Sequence, residues 1–214
     1  MRAVVQLAVV SLVIAAVLGS LWWSLLFSLV MLAVATRTSA QRVGAEGLQA
    51  LWVGAAIGAG ALLVLALILG SGVIPFNRAG LVPTAGIIIG NTMTAATLAG
   101  RRAYDELDAQ FGSYEAGLAV GLRSEDAAAE VIRPSGREAL TPNLDKTRTV
   151  GLVTLPGAFV GVLLGGGTPL EAGAAQVLVL VGIVAAQAVT AAVLLEMVAR
   201  ARVVRADMRV RYPR

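Results

Sequence analysis

Cysteine and histidine are both absent from this 214-residue chain, and together those two gaps remove a great deal of chemistry. Without thiols there are no disulfides and no cysteine nucleophiles. Without imidazole there is no serine-histidine relay, intramembrane proteases included, and without either there is no Cys/His metal centre. The lack of thiols leaves the redox compartment open, since such a chain suits either side of a membrane. Aromatic residues make up only 5% and charged residues 14%, and the arginines sit at the ends of apolar runs with few rings among them, which speaks against a nucleic-acid partner. The lone lysine, Lys146, follows an aspartate, so no Gly-Lys-Ser/Thr phosphate loop exists. Asp145-Lys146-Thr147 matches the start of an aspartyl-phosphate motif, but Arg148 stands where that motif has glycine and no nucleotide-binding domain follows. The expectation is a protein with no catalytic centre, not an enzyme, and with no cofactor of its own.

What the chain has in quantity is apolar surface. It is 57% hydrophobic with a mean hydropathy of +0.82, more than one small soluble core can bury, and a lipid bilayer is the natural solvent for the excess. A bilayer core about 30 Å thick needs about 20 apolar residues in a helix. Six segments approach that length, at 3–18, 21–36, 49–70, 79–100, 149–167 and 171–198. The expected fold is therefore all-α, a polytopic membrane helix bundle of six spans forming a single domain over 1–214. Met1-Arg2 and the apolar run to Leu18 resemble a signal peptide, but no small-x-small cleavage site precedes the next run. Gly19-Ser20 makes a tight link between the first two segments.

Orientation follows from where the basic residues fall, because short loops rich in Lys and Arg stay in the cytoplasm. All 17 of them except Arg78 lie at the N-terminus, between spans two and three, between spans four and five, or in the tail at 199–214. That distribution fits a cell inner-membrane protein with both termini cytoplasmic.

Within the spans, small-xxx-small spacing at Gly54 and Gly58, at Gly86 and Gly90, and at Gly157, Gly161 and Gly165 suggests close helix packing. Pro83 and Pro156 can kink spans four and five. Asn91, Thr92, Met93 and Thr94 form the densest polar cluster on any span and are candidates for a solute path, though interhelical hydrogen bonding would use them equally well. Gln6, Gln176 and Gln187 could serve either role. No ionisable group of the kind an ion-coupled carrier needs is visible near a midplane, and Glu171 and Glu196 read as interfacial residues at the two ends of the last span.

The one long connection, 101–148, carries more information. Tyr104, Leu107, Phe111, Tyr114 and Leu118 recur every three to four residues, so span four is expected to continue as an amphipathic helix until Gly121 ends or bends it. Ser124, Glu125 and Asp126 make a helix-start signal for a second helix holding Ala127, Ala128, Val131 and Ile132, broken near Pro134. A helix, a glycine turn and a short helix between two spans have the shape of the coupling loop of ATP-binding-cassette permeases. Glu115-Ala116-Gly117 followed by Gly121 is similar to the EAA-xxx-G pattern of such loops with one substitution. A solvated pair of Ala-rich helices would look much the same.

The flanking segments carry a closer resemblance. Gly90-Asn91-Thr92-Met93, then Thr141-Pro142-Asn143-Leu144-Asp145, then the run from Thr149 through Leu155, Pro156 and Gly157, with Gly161, Pro169 and Gln176, resemble the FetB iron-export permease family, which includes plant aluminium-tolerance permeases. The resemblance implies a permease, working as a homodimer in the lipid bilayer, that exports a metal ion and is driven by ATP hydrolysed on a separate cytoplasmic ATP-binding-cassette ATPase. Glu115, Ala116, Gly117, Gly121 and Ser124 would then shape the coupling element, and Asn91, Thr92, Met93, Thr94, Pro156 and Gln176 would line the solute path. The chain departs from the family in starting near its second span and in carrying Ala158-Phe159 and Ile87 where the family has methionines, the soft ligands of the set. The competing reading is an uncoupled or ion-coupled carrier, a channel or an assembly scaffold.

Overall fold

The computed structural model describes residues 19–74, 77–147, 156–205 and 208. Among them lie seven helices: α1 (Leu21–Val43), α2 (Gln49–Gly70), α3 (Arg78–Ala109), α4 (Phe111–Ala119), α5 (Ser124–Thr147), α6 (Gly157–Leu164) and α7 (Pro169–Ala199). Four of these are long and apolar enough to cross a membrane: α1, α2, α3 from Gly80 onwards, and α7. The segment 3–18 and the residues 149–155 lie outside the described part of the chain. The described remainder of the fifth expected span is α6, with only 8 residues.

Local chemistry sets the helix ends. At the end of α1, Gly44 takes φ 81°, and the Ala45 N–H donates to the Ala40 carbonyl at 2.9 Å, closing off carbonyls the helix leaves unpaired. The apolar run at 21–36 is thus part of a helix that continues through polar residues to Val43. α7 opens two residues before the expected Glu171. Thr168 and Glu171 form a reciprocal capping box, with Pro169 in the first turn, where its missing N–H costs nothing. Asn77 Oδ1 accepts from the Gly80 N–H at 2.9 Å and starts α3.

α2, α3 and α7 pack against one another, with α1 against α2 and α3. Val64, Ile68, Ile88 and Ala186 centre one buried cluster, and Val43, Ile57, Tyr104, Ile132, Leu194 and Val203 a second. Closest approach falls at glycines that the paired spacing does not mark. A Cβ on Gly60 would collide with Thr190 Oγ1 and the Ala186 carbonyl, so α2 and α7 touch backbone to backbone there. Of the expected pairs, Gly54 does face Thr36 closely, at 2.8 Å from an added Cβ. Among the described residues, Gly58, Gly90, Gly157 and Gly161 have nothing within 4 Å, and Gly86 has only Met31 at 3.8 Å. The expected glycine stripes are corrected on this point: period alone does not say which helix face meets a neighbour.

Two expectations about 101–148 also change. The amphipathic helix is not continuous, because Gln110 (φ −111°, ψ 34°) interrupts it between α3 and α4. α5 does not break at Pro134 but runs on through Pro134 and Pro142 to Thr147. Its buried face of Ala127, Ala128, Val131, Ile132, Ser135 and Ala139 packs along both α3 and α7, while Pro134 points outward. Packing therefore outweighs the lost hydrogen bond, which costs about 3 kcal/mol in an isolated helix interior.

Candidate functional site: a polar cavity and a glycine turn at the two ends of one helix

The C-terminal half of α5 packs along α3 and α7. Glu138 pairs with Arg102 of α3 at 3.3 Å, an added Cβ on Gly136 would lie 3.1 Å from Leu195 of α7, and Asn143 Nδ2 donates to Asn91 Oδ1 at 3.1 Å. Asn91 lies about 20 Å along α3 from its start. It joins three helices: its Nδ2 donates to the Ile87 carbonyl at 2.8 Å, and its own carbonyl accepts from Gln187 Nε2 of α7 at 3.1 Å.

Beside this junction is a cavity of about 480 Å³ lined by polar Asn91, Asn143, Lys146, Thr147 and Gln176, with Ile87, Pro156 and Ala158 among its apolar walls. Gln176 is 7% exposed, and its Oε1 has no hydrogen-bond partner among the described residues. A buried amide oxygen left unpaired costs about 1–3 kcal/mol. The cavity brings together three of the expected path residues, Asn91, Pro156 and Gln176. It does not include the other three. Thr92 is fully buried and donates to the Ile88 and Ile89 carbonyls, each at 3.0 Å. Met93 packs against the apolar core, and Thr94 is exposed, bonded to the Gly90 carbonyl at 3.0 Å. Spacing along one helix grouped residues that point in different directions.

Lys146 on this wall is the residue that sequence reasoning passed over, treating it as part of a false phosphorylation motif. The signal was present in its neighbour Asn143, which the family resemblance includes. Glu171 and Glu196 are accounted for structurally, one in the α7 capping box and the other paired with Arg200 at 2.6 Å.

At the other end of α5, α4 closes in a tight reversal. Gly121 has φ 91°, its N–H donates to the Leu118 carbonyl, and the Leu122 N–H donates to the Gly117 carbonyl, both at 3.0 Å. This is a Schellman closure, which needs a residue that tolerates the left-handed region. An added Cβ on Gly117 would come to 3.0 Å of Ala127 Cβ, so the small residue lets α4 lie close on α5. Glu115 and Ala116 are exposed on α4. The Arg123 carbonyl accepts from the Ala127 N–H, so Arg123, not Ser124, caps α5, and exposed Ser124 is its first helical residue.

Charge is concentrated around this reversal. Arg123 lies 2.8 Å from Glu125 and 2.9 Å from Asp126, and its pKa is raised first by the hydrogen bond it donates to Asp126 and then by the two carboxylate charges. Burial pushes the Tyr114 phenol up. Arg200 reaches Glu125 from the end of α7 at 4.0 Å, and the Arg202 guanidinium lies 4.6 Å from the Trp52 ring centre. Trp52, Arg123, Glu125, Arg200 and Arg202 bound an open cavity of about 550 Å³. Beyond α7 the chain turns back: Tyr104 Oη donates to the Val203 carbonyl at 2.7 Å, and the Val204 N–H donates to Gln49 Oε1 at 3.2 Å.

Among the described residues, an all-helical bundle whose outer surface carries Trp22 at 81% exposure, together with Leu29, Leu62, Leu67, Leu164 and Leu170, defines a polytopic helical membrane protein. The chain belongs to the uncharacterised protein family UPF0014, which it matches over residues 1–203. It is 35% identical over 181 residues to the UPF0014 membrane protein STAR2 of Oryza sativa subsp. japonica, a match covering 84% of this chain and 64% of that protein. It is 32% identical over 181 residues to the protein Aluminum Sensitive 3 of Arabidopsis thaliana, covering 84% and 66%. It is 36% identical over 124 residues to the probable iron export permease protein FetB of Escherichia coli, covering 58% and 48%. The chain thus spans just under two thirds of the length of the two plant proteins. No solved structure matches it.

Proposed function

We propose that this chain is the membrane-spanning permease subunit of an ATP-binding-cassette exporter, driven by a separate cytoplasmic ATPase and moving a metal ion, iron by analogy with FetB. The observation that carries this reading is α5 itself. One helix about 36 Å long joins the Gly121 reversal at one end to the Asn91–Asn143 junction and its cavity at the other. Glu115, Ala116, Gly117, Gly121 and Ser124 form the surface on which the ATPase docks. Closure of the ATPase dimer on ATP displaces this reversal, and a rigid helix conveys the displacement to the cavity wall, which switches between two arrangements. The distribution of basic residues supports 101–148 and both termini on the cytoplasmic side of an inner membrane. Two copies of the chain would serve two ATPase subunits, each presenting one reversal.

The reading is tested by transport. Proteoliposomes containing this chain with an ATP-binding-cassette ATPase encoded beside it should move iron only when ATP is supplied on the ATPase side. Equal flux from proteoliposomes lacking the ATPase would instead assign the chain to the uncoupled carriers.

A further inference from the structure

Among the described helices, α1 and α2 pack against neither α4 nor α5. The Gly121 reversal therefore has no helix contact with them, and Trp52 of α2 faces Arg123 and Glu125 across an open cavity. The segment that follows α7 spans this gap. Arg200 reaches Glu125 at 4.0 Å on the reversal side, and the Arg202 guanidinium lies over the Trp52 ring at 4.6 Å on the other. Val203 and Val204 are buried in one cluster with Tyr104 of α3, Tyr114 of α4 and Ala128 of α5. Two side chains then fix their backbone: Tyr104 Oη donates to the Val203 carbonyl at 2.7 Å, and Gln49 Oε1, at the start of α2, accepts from the Val204 N–H at 3.2 Å. Arg205 lies 5.4 Å from the Tyr104 ring centre and 3.7 Å from Asp105. Its Cγ would be 2.9 Å from a Cβ on Gly44, just past the end of α1.

The turn that starts this segment is held against its own preference. Ala201 has φ 51°, alone among the described non-glycine residues in the left-handed region, which a Cβ disfavours. Its N–H donates to the Val198 carbonyl and the Arg202 N–H to the Met197 carbonyl, both at 2.9 Å. A conformation of this kind persists only where the surrounding contacts over-determine it, and the contacts of Arg202, Val203, Val204 and Arg205 do so here.

We propose, resting on the exporter reading, that Arg200–Arg205 is a second coupling element, a clamp that ties the connection between α1 and α2 to the reversal. Displacement of the reversal by the ATPase then moves the cytoplasmic ends of α1 and α2 as well as α5. Tyr104 and Gln49 are positioning residues in this clamp, acting through the backbone of Val203 and Val204.

Hydrogen-deuterium exchange read by mass spectrometry tests this, first on the purified full chain in detergent and then on its complex with the neighbouring ATPase. In the chain alone, Tyr104→Phe and Gln49→Leu, which each remove one hydrogen bond at similar size, should speed exchange at 44–52 by at least about fivefold while leaving 180–195 as in the native protein. Arg133→Ala, which removes an exposed ion pair on α5, should leave 44–52 unchanged. In the complex, trapping with ATP and vanadate should alter exchange at both 117–127 and 44–52 in the native protein, but only at 117–127 in Tyr104→Phe and Gln49→Leu. A merely structural role would not sever that link. The inference is overturned if 44–52 exchanges at the native rate in both variants of the isolated chain, if 44–52 responds to trapping equally in native and variant complexes, or if it stays silent in a native complex whose 117–127 responds. A native complex with no response at 117–127 would instead sink the exporter reading and the coupling role with it, while the clamp contacts are still decided by the isolated chain.

Discussion

Gly60 and Gly58 lie one half-turn apart on α2 and separate two meanings of glycine in a membrane helix. Where two backbones touch, as Gly60 touches α7, a single methyl must push the helices apart. Where the neighbouring space is open, as at Gly58, the same methyl only removes backbone freedom from the unfolded chain. Gly60→Ala should therefore destabilise the bundle by about 1–3 kcal/mol, and Gly58→Ala should be neutral or stabilising by up to about 1 kcal/mol. Thermal unfolding of the two variants in detergent checks the contrast, and equal shifts would contradict the packing. The sequence marked Gly58 and was silent on Gly60, because a four-residue spacing does not reveal which face meets a partner. Lys146 shows the same limitation. Its chemistry was plain in the sequence, but its place on a wall with Asn91 and Gln176 depends on α5 folding back along α3 and α7, which no local pattern encodes.

Helix existence was legible wherever an apolar run or a capping signal was strong. The run at 49–70 coincides with α2 (Gln49–Gly70), and the reversal at Gly121 follows from the one residue there that adopts φ 91° at little cost. Helix continuity was less legible, because it depends on partners. Pro134 signals a break to any local reading, but α5 passes through it with Val131, Ile132, Ser135 and Ala139 buried on the opposite face. If packing holds α5 straight against an intrinsic breaker, relieving the breaker should help. Pro134→Ala should raise stability by about 1–3 kcal/mol, up to the cost of an interior proline, measured as an upward shift of the denaturation midpoint. A loss of stability would mean that the proline shapes α5 in a way the packing requires.

At the scale of the whole molecule, apolar excess and basic-residue placement indicated a polytopic helical bundle before any contact was known, since both follow from the solvent around the protein and not from its internal packing. The internal geometry then supplies what composition could not: α5 has an exposed glycine reversal at one end and a polar cavity at the other. The central claim is that force applied at the reversal reaches the cavity, and ATP hydrolysis by the partner reads that coupling directly. Coexpressed and copurified with a neighbouring ATP-binding-cassette ATPase, the native chain should stimulate hydrolysis. Gly121→Pro forces φ to about −65° and removes the N–H that donates to Leu118, so it should abolish the stimulation while leaving membrane insertion and gel-filtration behaviour intact. Stimulation that persists undiminished in a properly inserted Gly121→Pro protein would contradict the account.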